Sequence, residues 1–171
     1  MTSVGPASPE PRPRPVARIL NNLYKKQEVV LSELNAGRQE FQNNKFYSLF
    51  TGNLSMPVAY MHLGTVNTCR TGGCSLSQDF SGSGPNGEYF DYMILFNTAL
   101  EVESINVFNY QASFGHEIAA RGWLKQFNGF KGEKNLEPGK NIDSISGATV
   151  SVYAITADIQ WKTRQLQEII H

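Results

Sequence analysis

The sequence predicts an α+β fold: a mainly antiparallel sheet, with a helix near the N-terminus and a long helix at the C-terminus. Three runs rich in Val, Ile, Phe and Tyr, at residues 58–63, 89–97 and 102–110, are typical of strands. The short connection at 97–101 favours an antiparallel hairpin between the last two runs. From about Gly147 onward, apolar residues recur at helical intervals, which predicts a helix more than about 30 Å long. The residues of this stripe are Tyr153, Ala154, Ile155, Ile159, Leu166, Ile169 and Ile170.

The first 15 residues hold five of the eight prolines and almost no apolar side chains. Such a segment cannot form a helix and has little to bury, so an extended or disordered tail is predicted, acting as a spacer or as a PxxP-type ligand. It could also be what remains after an export or anchor segment has been removed. Residues 16–171 are predicted to form a single domain.

The N-terminal helix is predicted from a helical stripe that begins near Pro15, with Gly37 placed to end it. The stripe consists of Val16, Ile19, Leu20, Leu23, Leu31 and Leu34. Basic residues are also concentrated here, namely Arg12, Arg14, Arg18, Lys25 and Lys26. They indicate either a solvated helix face or a weak, peripheral approach to an anionic membrane surface.

Composition excludes several functional classes. Fifteen Lys and Arg balance fifteen Asp and Glu, so no basic excess exists to neutralise the phosphates of a nucleic acid. No run of eighteen apolar residues is present to span a membrane. The three histidines and two cysteines show no metal-ligand spacing. Glu101 and Glu103 lie two apart in a predicted strand, as solvated edge charges or as an acid–base pair.

Two shorter features lie between these elements. Cys69 and Cys74 flank two glycines, and a structural disulfide is plausible in an oxidising compartment. A redox pair is the other interpretation, although the spacing is not Cys-x-x-Cys. Residues 118–127 predict a brief helix, and a polar loop rich in Gly follows it.

The sharpest local signal is the segment Asp143-Ser-Ile-Ser146-Gly147-Ala148-Thr149 at the start of the long helix. Ser146 is a preferred N-cap residue, which would place Thr149 at about the third helical position. Unpaired backbone amides and the positive end of the helix dipole converge there. A phosphate on or beside Thr149 would therefore be stabilised, although a plain N-cap followed by an amphipathic helix is the simpler explanation of these residues taken alone.

The pattern Asp-x-x-Ser-Gly-Ala-Thr closely resembles the flavinylation motif of the FMN-binding domain family. That family includes the C subunit of the sodium-pumping NADH:quinone reductase and the G subunit of the related ferredoxin:NAD reductase complex. The resemblance implies that Thr149 carries FMN through a phosphoester, installed by a separate FAD-dependent flavin transferase. Ser146, Gly147 and Ala148 match the motif around it, and Asp143 matches its leading acid.

A second stretch, residues 108–129, is similar to the strand, His-x-Glu-Thr-Pro-Gly region and Phe-x-Gly helix of the same family. Here His116 and Glu117 are adjacent, and Ile-Ala-Ala-Arg replaces the Thr-Pro that follows the acid. Together the two stretches place the resemblance at about residues 80–160. It implies that His116 and Glu117 hydrogen-bond the flavin or control its protonation. Aromatic residues near the motif could stack on the flavin ring or pack in the core, namely Trp123, Phe127 and Tyr153.

The function implied by the resemblance is electron transfer between redox partner proteins or a quinone, because the flavin supplies the chemistry and the protein attaches and orients it. Two alternatives stay open: a non-redox accessory module that has kept the fold without flavin, and a reductase with loosely bound FMN. Family members are flavinylated outside the cytoplasmic membrane. A mature or trimmed extracytoplasmic domain is therefore expected, with no signal or transmembrane segment in this chain.

Overall fold

In the part of the chain that the structure describes, five antiparallel strands form one sheet, and strands that follow one another in the chain are paired. The computed structural model describes residues 12–25, 27–34, 44–68, 88–113 and 115–171. The α-helices of the described residues are α1 (Arg14–Leu23), α2 (Arg121–Leu124) and α3 (Thr149–Ile170). Two 3₁₀ segments, His116–Ala119 and Lys125–Phe127, flank α2. The strands are β1 (Val29–Glu33), β2 (Lys45–Thr51), β3 (Ala59–Asn67), β4 (Tyr89–Phe96) and β5 (Val102–Phe108). The predicted α+β class is confirmed.

Alternate residues of the central strands point to two different hydrophobic clusters, as the period of two in a strand requires. In β4, Tyr92 and Ile94 join the cluster that includes α3, whereas Met93 and Leu95 join the cluster that includes α1. Both faces of β4 are therefore buried, which explains why its sequence is almost continuously apolar. The result is a three-layer arrangement, with α1 and α3 on opposite faces of the sheet.

The β4–β5 hairpin and the long C-terminal helix are confirmed. The turn between the two strands is held by Asn97, whose side-chain oxygen accepts hydrogen bonds from the N–H groups of Ala99 (2.9 Å) and Glu101 (3.1 Å). Helix α3 has 22 residues, or about 33 Å, and begins two residues after the predicted start at Gly147.

The N-terminal helix is much shorter than predicted. It ends at Leu23, and Leu31 lies in β1 opposite Leu49 of β2. Lys25, with φ of 50°, takes the chain out of the helical direction. The spacing of Leu31 fits a helix and a strand equally well, and pairing with β2 decides the outcome. Gly37, the predicted stop, lies outside the described residues.

The predicted helix over 118–127 is also wrong in form, since this segment is three short helical pieces that begin at His116. Ala120 is extended, with φ of −65° and ψ of 123°, and separates the first piece from α2. Most of the predicted tail, residues 1–11, and the predicted disulfide between Cys69 and Cys74 lie outside the described residues. Among the helices that the structure describes, none is both long and apolar enough to cross a membrane.

A buried polar network joins the sheet to α3. Tyr92 is fully buried and donates a hydrogen bond to Asp158, whose other carboxylate oxygen lies 3.9 Å from the ammonium of Lys162. Lys162 is itself buried and donates to Asn44. His62, also fully buried, packs its ring 5.8 Å from that of Tyr92. These groups tie two strands to the middle of the helix.

The burial of His62 predicts that the free energy of unfolding depends on pH. Its Nδ1 lies 3.0 Å from the Lys45 carbonyl, which can only accept, so Nδ1 carries a hydrogen. Nε2 is buried and has no hydrogen-bond partner among the described residues, which disfavours a second proton on the ring. Burial, and then the charge of Lys162, hold the pKa of His62 well below its usual value. Below about pH 6.5 the unfolded chain therefore binds a proton that the native state does not. The free energy of unfolding should fall by up to about 1.4 kcal/mol per pH unit as the pH drops from 6.5.

Denaturant unfolding between pH 5 and 7.5 measures this slope, which His62→Gln should remove and His116→Gln, at an exposed histidine, should preserve. A wild-type slope equal to that of His62→Gln would contradict the assignment.

Candidate functional site

A tight turn places the motif threonine at the first residue of α3. The carbonyl of Ile145 accepts a hydrogen bond from the N–H of Ala148 at 3.1 Å, and Gly147 between them has φ of 81°. A positive φ at the third position of a turn is what a type II turn requires, and glycine adopts it without steric cost. The helix then begins at Thr149. The Gly of the motif is therefore needed for the turn itself.

The predicted capping role of Ser146 is wrong. Ser146 lies in the exposed turn, Ala148 occupies the N-cap position without any side-chain capping bond, and Thr149 is the first helical residue rather than the third. Among the described residues, no carbonyl accepts a hydrogen bond from the N–H groups of Thr149, Val150 or Ser151. Thr149 is exposed. The predicted convergence of unpaired amides at an accessible threonine is thus present, with a different residue at the cap.

A cleft of about 220 Å³ adjoins this helix start. One wall is the first turn of α3 and the residues before it, from Gly147 to Ser151. The other wall is formed by Thr68, directly after β3, and Glu88, directly before β4. The N–H of Thr68 donates to the carbonyl of Glu88 at 3.0 Å, so the end of the β3–β4 ladder holds this wall in place.

The two strand-end side chains contribute different chemistry. Thr68 is only 3% exposed, and its hydroxyl oxygen has no hydrogen-bond partner among the described residues. Glu88 supplies a carboxylate, one oxygen of which lies 3.4 Å from the N–H of Ser113. The residues that line the cleft therefore carry hydroxyl groups, backbone amide donors and one anionic acceptor.

His116 is connected to the cleft through Tyr110. The two rings lie 4.5 Å apart at 38°, and the Tyr110 hydroxyl lies 3.2 Å from Oγ of Ser151 in the first turn of α3. Gly115 makes this approach possible, because a Cβ there would lie 2.7 Å from the Ser151 oxygen. Tyr110 also stacks on Phe90, with the ring centroids 5.3 Å apart. The second family-like stretch is thus packed against the first.

Trp123 does not line the cleft but contacts the motif through a hydrogen bond to its backbone. Its indole N–H donates to the carbonyl of Asp143 at 2.8 Å, and the N–H of Asp143 donates to the Gln126 side chain at 2.8 Å. Its ring meets Phe127 edge-on at 5.4 Å. The leading acid of the motif is therefore fixed through its backbone, while its own carboxylate is exposed.

The other predicted site residues differ in their exposure to solvent. Phe127 is fully buried in the core, which removes it as a ring contact, whereas Tyr153 is 56% exposed. Tyr153 lies four residues after Thr149 and so on the same side of α3. Glu117 is exposed and does not line the cleft. Among the described residues, no group of three or more His, Cys, Asp or Glu could hold a metal ion.

Thr68 and Glu88 are the site residues that the sequence did not predict. The predicted strand ended at residue 63, whereas β3 continues to Asn67 opposite Tyr89 of β4. A longer strand would have placed Thr68 and Glu88 opposite each other, but no local motif marks either residue. Their position beside α3 is set by tertiary packing.

No protein-family model matches this chain, and no curated protein shows significant similarity to it.

Proposed function

We propose that this protein is an electron-transfer protein that carries FMN covalently, through a phosphoester to the hydroxyl of Thr149. The single observation that carries the proposal is an exposed threonine at the first residue of a 22-residue helix, beside a cleft, within Asp-x-x-Ser-Gly-Ala-Thr. A threonine hydroxyl sealed in the core would have opposed it.

The residues around Thr149 suit a phosphate. The N–H groups of the first turn and the positive end of the α3 dipole stabilise negative charge at this position. Glu88 repels a phosphate and accepts hydrogen bonds, so it favours a ligand whose hydroxyl or N–H groups lie on the side away from the phosphate. FMN has this polarity, with its phosphate at one end of a chain of hydroxyls.

When bound, FMN supplies one- and two-electron redox chemistry, and the protein's residues attach and orient it. Attachment itself involves no change of oxidation state. The Thr149 oxygen forms a bond to the flavin-side phosphorus of FAD, the pyrophosphate P–O bond breaks with its electron pair leaving on AMP, and a base of the transferase takes the hydroxyl proton. Thr149 therefore needs no activating base of its own.

The size of the cleft favours a carrier over a reductase with an enclosed substrate. Its 220 Å³ lies below the roughly 300–1,000 Å³ usual for pockets that enclose a small molecule. A flavin held at Thr149 would keep part of its ring accessible, with the exposed Tyr153 available to stack on it. An accessible ring suits exchange with a redox partner protein or a quinone. We place this function in an extracytoplasmic compartment, as for the family that the motif resembles.

The test is co-expression with an FAD-dependent flavin transferase, followed by acid precipitation of the purified protein. The expected result is a yellow pellet whose flavin stays with the denatured chain. Flavin released into the supernatant would instead support a reductase with loosely bound FMN. A colourless protein would support a non-redox accessory module and contradict the proposal.

A further inference from the structure

Thr68 has a buried hydroxyl that the fold does not use. The residue is 3% exposed, and its Oγ has no hydrogen-bond partner among the described residues, although its backbone N–H is paired with Glu88. Leaving a buried hydroxyl unpaired is costly, so native structures seldom keep one without a reason. Unlike the core hydroxyls, this one belongs to a residue that lines the cleft beside Thr149.

We propose that the Thr68 hydroxyl donates a hydrogen bond to the phosphate that is esterified to Thr149, which makes Thr68 a phosphate-positioning residue. The inference rests on the proposed function and deepens it, because it names a ligand of the phosphate that lies 81 positions before the attachment residue. Thr68 is on the strand wall of the cleft and the amides of Thr149, Val150 and Ser151 are on the helix wall.

The chemistry favours the phosphate over other parts of the ligand. A phosphodiester offers only acceptors and keeps a negative charge, so a hydroxyl can pair with it only as a donor, in a charge-assisted bond. Thr68 then supplies the side-chain donor that complements the backbone donors of the helix start. Glu88, the neighbouring acceptor, is left for the hydroxyl or N–H groups of the same ligand.

Thr156 provides a matched control within the same protein. It is 1% exposed, its Oγ has no partner among the described residues, and it lies in α3 without lining the cleft. Thr68→Val and Thr156→Val each replace a buried hydroxyl by a methyl of similar shape. Thr68→Ser keeps a hydroxyl at residue 68.

The experiment has three readouts on protein made with and without the transferase. Without flavin, Thr68→Val should unfold at the same temperature as the wild type or higher, because an unpaired hydroxyl has been removed. With limiting transferase, the flavinylated fraction should form roughly ten- to a hundredfold more slowly in Thr68→Val, which is the range expected for one hydrogen bond to a charged group. The ³¹P resonance of the attached phosphodiester should also move in Thr68→Val, and coincide with the wild type in Thr68→Ser and Thr156→Val.

Failure of the inference and failure of the proposed function have different signatures. Wild-type protein without flavin, under conditions in which the transferase modifies another substrate, overturns both. Flavin-bearing Thr68→Val with the wild-type ³¹P resonance and rate overturns the inference alone. Flavin-free Thr68→Val that is strongly destabilised or does not fold also overturns it, since the hydroxyl would then serve the fold.

Discussion

Thr149→Val is expected to abolish covalent flavin incorporation completely. Valine has nearly the same shape as threonine but lacks the oxygen that forms the phosphoester. Because residue 149 is exposed at the first position of α3, the free energy of unfolding should change by less than about 0.5 kcal/mol. In-gel flavin fluorescence after denaturation measures the incorporation, and thermal unfolding verifies that the fold is intact.

Two control variants test whether the loss of labelling is specific to the hydroxyl of residue 149. Thr149→Ser restores an oxygen at the same position and should restore labelling. Thr98→Val removes the hydroxyl of another exposed threonine, in the β4–β5 turn, and should label like the wild type. Undiminished fluorescence in Thr149→Val would show that the flavin is attached elsewhere or is not attached through a threonine oxygen.

Asp158→Asn is expected to lower the free energy of unfolding by about 2 kcal/mol. The substitution keeps the shape but removes the negative charge beside the buried ammonium of Lys162. Breaking a fully buried ion pair costs roughly 3–5 kcal/mol, and the smaller figure applies because the Asp158 side chain is 26% exposed. Denaturant unfolding at pH 7 measures the change.

A double-mutant cycle measures the interaction between the charges of Asp158 and Lys162 separately from the packing of the two side chains. Lys162→Met removes the ammonium, so combining it with Asp158→Asn should cost less than the sum of the two single changes. Glu168→Gln, at an exposed carboxylate on the same helix, should shift the free energy of unfolding by less than about 0.5 kcal/mol. An Asp158→Asn protein as stable as the wild type would show that the ion pair contributes nothing.

Sequence patterns predicted the parts of this fold in which the local signals agree. The β4–β5 hairpin combines two β-rich runs with a turn that Asn97 stabilises through its own side chain. Helix α3 has a turn glycine before it and a long apolar periodicity after it. In both cases propensity, turn chemistry and pattern point to the same element.

Prediction from sequence patterns failed where the apolar spacing of a short segment fits both a helix and a strand. Residues 29–33 continue the spacing of α1, and only pairing with β2 makes them a strand. Strand β2 itself, residues 45–51, was not predicted at all. The burial of His62 against α3 could not be predicted either, because a single histidine in a strand carries no signal for its surroundings.

The candidate site likewise has one wall that the sequence predicted and one wall that it did not. Its helix wall was predicted at Thr149 because the motif is contiguous in sequence and depends on one turn. Its strand wall, Thr68 and Glu88, depends on the register of β3 with β4 and on the position of α3, and neither can be obtained from local pattern. His116 lies near the site as expected, but its contact with the helix start passes through Tyr110 and Ser151.

The most direct measurement is tandem mass spectrometry of the tryptic peptide 141–162 from wild-type protein made with the flavin transferase. This peptide contains six hydroxyl side chains, at Ser144, Ser146, Thr149, Ser151, Tyr153 and Thr156, so its fragments must locate the modification. We expect the mass of one FMN less one water on Thr149. An unmodified peptide from cells with an active transferase, or the same mass on a different residue, would contradict the account.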